Sequence, residues 1–287
     1  MNWFFFCALS VFALAAAELT QQYLLNKKDR EIDERVSGFL TFFIPACLMA
    51  PYVFIYYRTE LFLLLQPNML PYFLGACIAG AFGTTFYLRS FKVESISYSV
   101  ILVSSSAIFS TILGILVFHE ASNFLKFSGI FLILLAIFLS NVKNEKFQKA
   151  SLWGLAAGFF YGTMYVFDKY LVLEVDPFVY IFWSFLFTSC FLFLRKPAYI
   201  FGKIATLRLL DIRNIFLSGI AYLIYNLFTF LSYIYGGEVG KVDAINNSQI
   251  FLIILFEIAI LKQKQNVFRK LGSFLLAIIG IYILSSY

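Results

Sequence analysis

Apolar positions in this chain come in long unbroken runs, neither alternating as in a half-buried strand nor confined to one face as in a soluble helix. The runs approach the roughly 17–25 residues that a helix needs to cross a bilayer, and they follow one another almost end to end. Ten helices are expected. The first half holds Trp3 to Leu25, Ser37 to Tyr57, Met69 to Arg89, Ser95 to Phe118 and Phe124 to Asn141. The second holds Ser151 to Leu173, a seventh from Pro177 to Arg195-Lys196-Pro197, Ile215 to Tyr235, Gly240 to Leu261, and Leu271 to Tyr287. Pro45 and Pro51 are expected to bend the second helix. Small residues at four-residue spacing, Gly75, Ala79 and Gly83 in the third helix and Gly154, Gly158 and Gly162 in the sixth, allow a neighbouring helix to approach closely. A transmembrane barrel would show short alternating segments instead.

Two of these helices are interrupted by polar runs: Ser104-Ser105-Ser106 in the fourth and Asn246-Asn247-Ser248-Gln249 in the ninth. Such side chains are costly against lipid, so they must face other helices or a wet cavity. Each residue turns a helix by about 100°, so some of a run can glue the bundle while others line a cavity. The two runs also belong to a repeat. Trp3 and Glu18 stand in the same relation as Trp153 and Asp168. Ser104-Ser105-Ser106, Asn123 and Gly129 match Asn247-Ser248-Gln249, Asn266 and Gly272 at a constant offset. The expected fold is therefore an all-α polytopic membrane protein of ten transmembrane helices, built as two five-helix repeats over 1–142 and 150–287. Five is an odd number, so the copies are expected to be inverted in the membrane, with a substrate site between them near the midplane.

Composition agrees. The 287 residues are 61% hydrophobic and 13% charged, and the mean hydropathy is +0.85, which excludes a soluble domain. The net charge of +6 comes largely from the loops after the first, third, fifth, seventh and ninth helices. The other loops hold only Arg58, Lys126, Lys169 and Lys241. This distribution is an orientation signal, with the basic loops in the cytoplasm and both termini outside, and not a nucleic-acid surface. Met1 to Ala17 ends like a signal peptide, but no basic residue precedes its apolar run and it has a repeat partner, so it is kept as the first helix. The protein is expected to be multi-pass in the cytoplasmic (inner) membrane, with the lipid bilayer as a partner.

Candidate chemistry is sparse. Glu18 and Asp168 can pair with a cationic solute or carry a proton, or lie solvated at the headgroups. Lys241 and Asp243 precede the ninth helix's polar run, where Lys241 either pairs with Glu238 one turn earlier or contacts an anion, and Asp243 contacts a cation. Glu257 lies deeper and is expected to meet a base such as Arg89 or to be protonated. Substrate contacts are expected from Ser104, Ser105, Asn247, Ser248 and Gln249, joined by Asn226, Tyr161, Tyr165 and Tyr222. Thr84, Thr85, Tyr87, Tyr225 and Thr229 could complete the wall. The four cysteines are isolated in apolar runs, without disulfide or metal-ligand spacing. His119 lacks companion ligands and is expected to sit at a helix end. No phosphate-loop motif is present, and neither a metal nor another cofactor is expected.

The run Tyr98-Ser99-Val100-Ile101-Leu102-Val103-Ser104-Ser105-Ser106-Ala107-Ile108-Phe109, then Leu116-Val117-Phe118-His119-Glu120 and Gly129, resembles the drug/metabolite transporter superfamily, specifically its paired EamA-like domains. The second copy offers Asn247-Ser248-Gln249-Ile250-Phe251 and Ile260-Leu261-Lys262-Gln263. The resemblance covers essentially the whole chain and implies a ten-helix carrier, not an enzyme, with a central cavity lined by helices one, three, four, six, eight and nine. A small-molecule substrate such as an amino acid, an amine or a related amphipathic solute is expected to move by alternating access, with a proton or another ion as coupling partner. A flippase for a lipid-linked substrate and a non-transporting membrane scaffold or sensor are the alternatives.

Overall fold

The structure, a computed structural model, describes the backbone of residues 2–25, 32–93, 102–141, 151–259 and 267–286, and the side chains of all but a few residues beside the gaps. Ser95 to Ile101 of the expected fourth helix, the Glu257 side chain and the end of the ninth helix lie outside the described residues.

The described chain is helical: α1 (Trp3–Leu25), α2 (Glu34–Tyr56), α3 (Leu70–Val93), α4 (Ser106–Phe118), α5 (Phe124–Asn141), α6 (Ser151–Val172), α7 (Pro177–Leu194), α8 (Pro197–Ile204), α9 (Leu209–Ile234), α10 (Val239–Asn246), α11 (Gln249–Ala259) and α12 (Val267–Ser286). Six segments are long and apolar enough to cross a membrane, and α4, α5 and α12 supply shorter apolar lengths. This is an integral, multi-pass membrane protein. The ten expected helices become twelve among the described residues, for two reasons. The basic linker after the seventh helix folds as α8, with Pro197 in its first turn. The ninth helix is two helices, α10 and α11, meeting at Asn247-Ser248.

That break has a local cause. At Asn247 the backbone stays right-handed but ψ rises to −16°, and Ser248 N–H bonds to Ile245 O three residues back, at 2.9 Å. The fourth helix does the same at its own polar run, with ψ −16° at Ser105 and Ser105 N–H bonded to Leu102 O at 3.2 Å. Each polar run is one turn of tightened helix. A turn of three residues, in place of about 3.6, rotates the side chains after it relative to those before it.

Helix ends follow their capping residues. Asp33 accepts the Arg35 amide at 2.9 Å and starts α2; Asp176 accepts that of Phe178 at 2.8 Å and, with Pro177 in the first turn, starts α7. His119 closes α4 in the left-handed region, at φ 52°.

Packing follows an exchange of halves. α1 lies along α9, and its repeat equivalent α6 lies along α3. α2 packs on α7, α5 on α12, and the polar helix α4 on its counterpart α10. α6 meets α4 as α1 meets α10 and α11. The glycine stripes permit the closest of these contacts. A Cβ at Gly162 would stand 2.8 Å from Ser106 O, and one at Gly158 would stand 3.0 Å from Val103 O. In the α3 stripe, Gly75 and Gly83 face the rings of Phe167 and Tyr161 on α6. The α4 polar turn thus rests directly on the backbone of α6.

The packing predicts that Gly158→Ala costs about 1–3 kcal/mol, as overpacking does in a filled interior. Gly202→Ala in α8, where a Cβ meets nothing within 4 Å, should be neutral or mildly stabilising. Thermal unfolding of the purified protein in detergent checks the pair, and equal melting temperatures would refute the close approach.

Candidate functional site

Between the halves lies a cavity with about 880 Å³ of space unfilled by atoms, part of it continuous with its opening. Its walls come from α1, α2, α3, α4, α6, α7, α9 and the α10–α11 junction. Eight of the candidate site residues line it, Glu18, Tyr161, Tyr165, Asp168, Tyr222, Asn226, Asn247 and Gln249, together with Thr84, Tyr87 and Tyr225 of the expected wall. Among the described lining residues none is Lys, Arg or His.

Three carboxylates dominate its chemistry. Glu18 is 8% exposed and Asp168 4%, so neither sits solvated at the headgroups. Tyr87 Oη donates to Glu18 Oε1 at 2.6 Å, and Gln249 also bonds to that carboxylate. Tyr180 Oη donates to Asp168. Asp243 stands one side chain behind the wall. Ser106 Oγ and Ser110 Oγ donate to its two oxygens at 3.0 and 2.9 Å, and Asn247 Nδ2 donates to Oδ1 at 2.9 Å. Hydroxyls and amides hold all three; among the described residues no lysine or arginine comes within 4 Å of any of them. An acidic residue at a helix centre costs about 2.5–3.5 kcal/mol on insertion scales. Two of the three line the cavity and the third stands directly behind its wall.

The polar run of the ninth helix divides as its rotation requires. Asn246 glues the bundle: Ser10 Oγ donates to its Oδ1 and its Nδ2 donates to Thr229 Oγ1 at 3.3 Å. Asn247 and Gln249 face the cavity, and Gln249 Oε1 is buried there without a partner. Ser248 turns to an apolar groove between α1 and α12 instead. In the fourth helix the expected contacts shift by one or two positions. Ser104 is fully buried and Ser105 is pressed against Gly158, so Ser106 is the serine that reaches the cavity.

The cavity's two ends differ. Past Asp168, at one end, runs a chain of alternating charges: Lys169–Glu120 at 2.9 Å, Glu120–Lys126 at 3.0 Å, Lys126–Glu238 at 2.5 Å and Glu238–Lys241 at 3.0 Å. Lys241 is thus an ion-pair partner of Glu238. Val239 N–H donates to Glu120 Oε1 at 2.7 Å. Glu120 and Lys126 belong to the first half, and Lys169, Glu238 and Lys241 to the second. The Lys126 side chain is wholly buried. Burial alone would raise Glu238, but the hydrogen bonds and charges of Lys126 and Lys241 outweigh it and hold that carboxyl below its usual range.

At the other end, Tyr87, Tyr161 and Tyr222 close over Glu18 and Gln21. Tyr222 Oη donates to Gln21 Oε1 at 2.8 Å and Tyr161 Oη to Thr84 Oγ1 at 3.3 Å. Beyond them lies a second pocket holding Arg35, Arg89, Arg195 and Lys196. Arg89 is therefore placed at a mouth and not beside the central carboxylates. Its guanidinium covers Trp153 at 5.4 Å, whereas Lys169 lies sixteen residues further along α6, about 24 Å at 1.5 Å per residue.

Sequence reasoning offered the Glu238–Lys241 pair, beside an anion-contact role for Lys241, but missed the pairs among Lys169, Glu120, Lys126 and Glu238, whose lysines figured only as loop charges. It missed Tyr180 altogether. Glu238 lies 112 residues from Lys126, and no local spacing signals such a contact.

The comparisons with known proteins bear on this arrangement. No curated protein matches the chain. A solved structure described only as a crystal structure of protein is similar over 97% of this chain and 94% of that one, with a TM-score of 0.76 at 12% identity, which supports the fold alone. The model of the EamA-like transporter family matches residues 1–142 and again 148–286. With both halves matched, the chain belongs to the EamA-like transporter family, a family of membrane transporters.

Proposed function

We propose that this transporter carries a small organic cation, a primary amine or an amine-bearing metabolite, by alternating access through the central cavity. One observation carries the reading: Glu18 and Asp168 line, and Asp243 stands one side chain behind, a cavity whose described lining has no cationic side chain. A cargo ammonium supplies the missing charge, and the tyrosine faces accept its apolar part or the cation itself. Tyr165 and Tyr225, hydroxyl to hydroxyl at 3.3 Å, offer such faces beside Asn226. A free carboxylate on the cargo would find only amide and hydroxyl donors there, so an amine suits the cavity better than a zwitterion does. Glu18 and Asp168, each held by one tyrosine hydroxyl, can take a proton when the cargo leaves, which makes proton–amine exchange the natural coupling.

The charge distribution supports an orientation with the arginine mouth in the cytoplasm and the ion-pair seal outside. In that orientation the conformation described is closed outward by the seal and separated from the cytoplasm by the tyrosine layer. Alternating access then requires the Lys126–Glu238 and Lys169–Glu120 bridges between halves to break while the tyrosine layer closes fully.

Two outcomes are expected. In proteoliposomes, uptake of a radiolabelled aromatic or aliphatic amine from a broad panel should fall by about tenfold or more in Glu18→Gln, Asp168→Asn or Asp243→Asn, a loss of about 1.4 kcal/mol per tenfold. Uptake of every panel amine at the protein-free rate would remove the reading. The second outcome concerns the seal. In a single-cysteine protein keeping only cavity-facing Cys77, Lys126→Met should speed labelling by an impermeant maleimide applied from the seal side about tenfold, because one buried pairing partner is lost. An unchanged rate would show that the charge chain is not what closes that end.

A further inference from the structure

The pocket beyond the tyrosine layer has its own chemistry. Arg35 at the start of α2, Arg89 near the end of α3, and Arg195 and Lys196 just after α7 face one space, with Thr84 and Thr85 on its wall. No acidic residue lines it among the described residues. None of the four cations is within 4 Å of a described carboxylate. Asp33, two residues before Arg35, is occupied: it accepts the Arg35 backbone amide and the Tyr199 hydroxyl, the latter at 2.6 Å.

The guanidiniums are positioned by rings instead. Arg35 lies over Tyr199 at 5.6 Å, Arg89 over Trp153 at 5.4 Å and Arg195 over Phe82 at 5.9 Å. Arg195 Nη1 also donates to Thr85 Oγ1 at 2.7 Å. Stacking orients a guanidinium and leaves most of its N–H fork unused. Burial, then the nearby charges of Arg89 and Arg35, pull Arg195 below its ordinary value. An arginine does not shed its proton to relieve such crowding. The repulsion is relieved by a counter-ion, and convergent guanidinium forks match the oxygens of a phosphate group.

We propose that Arg35, Arg89, Arg195 and Lys196 form an anion site, separate from the central cavity, that holds a phosphate-type oxyanion at this mouth. Arg195 and Lys196 follow directly on the last residue of an apolar span, so the site lies at the height of the lipid headgroups. The oxyanion therefore comes either from the headgroup of an anionic phospholipid or from free phosphate. The site does not depend on what the central cavity carries.

The test uses the full-length protein and two probes, with thermal unfolding as the readout. Inorganic phosphate is compared with chloride at equal ionic strength in an uncharged detergent. Phosphatidylglycerol is compared with phosphatidylcholine alone in nanodiscs. At least one probe should raise the melting temperature of the wild type by several degrees. A response to phosphate identifies a free-anion site, and a response to phosphatidylglycerol alone identifies a headgroup site. The double variant Arg89→Gln/Arg195→Gln should lose most of the rise, and without either probe it should unfold no earlier than the wild type, because a repulsion has been removed. Lys196→Gln should lose part of the rise, which keeps the test open if the double variant does not fold. Arg58→Gln, outside the pocket, should keep all of it. No rise in the wild type with either probe, or a rise undiminished in the double variant and in Lys196→Gln, would overturn the proposal.

Discussion

Asp243 is buried where the two polar turns face each other, and Ser106, Ser110 and Asn247 bring their donors to it. A carboxylate that deep in an apolar bundle has to be held by hydrogen bonds, and this requirement organises what surrounds it. The serines reach Asp243 because α4 lies close on α10, where a Cβ at Gly240 would stand 2.8 Å from Thr111 Cα, and α4 also rests on α6, where Gly158 and Gly162 present no side chain to its backbone. The tightened turns at Ser105 and Asn247 aim the donors inward. A larger residue in the stripe, or a regular helix through either polar run, would separate Asp243 from what satisfies it.

The same contact makes the centre of the molecule acidic while its ends are not. At one end five charges alternate and satisfy each other across the two halves. At the other, four cations converge on one pocket without an acid among the described residues. Under the two proposals, this centre of three carboxylates takes a cation and the arginine mouth an anion. The two ends also differ mechanically. Breaking the buried charge chain exposes ions that are costly to leave unpaired, whereas the tyrosine layer is held by single hydrogen bonds, without an ion pair among the described residues. The resistance to opening is therefore concentrated at the charged end.

Much of this was legible in the sequence because it is periodic or costly. Unbroken apolar runs mark helices in a bilayer, and the repeat of Glu18 by Asp168 and of Ser104–Ser106 by Asn247–Gln249 marks the two halves. Polar residues in those runs mark the cavity, since nothing else tolerates them. The register within each run was not legible. Ser106 reaches the cavity where Ser105 does not, because a tightened turn rotates the side chains and leaves no trace in residue type. The charge chain was hidden for another reason. Glu120 and Lys126 stand at helix ends, where sequence alone reads them as solvated charges, Glu238 reads only as a local partner of Lys241, and their pairing across the halves depends on tertiary contacts. Arg35 and Arg195 likewise read as orientation markers until the fold brings them to Arg89.

The central claim is that the cavity is built for positive charge. Equilibrium binding to the purified protein tests it directly, by comparing a simple aromatic amine with its uncharged N-acetyl analogue by calorimetry. The account predicts that the amine binds at least about tenfold more tightly, a difference of about 1.4 kcal/mol, and that Asp243→Asn narrows the gap. Equal affinity for the charged and uncharged forms would contradict it.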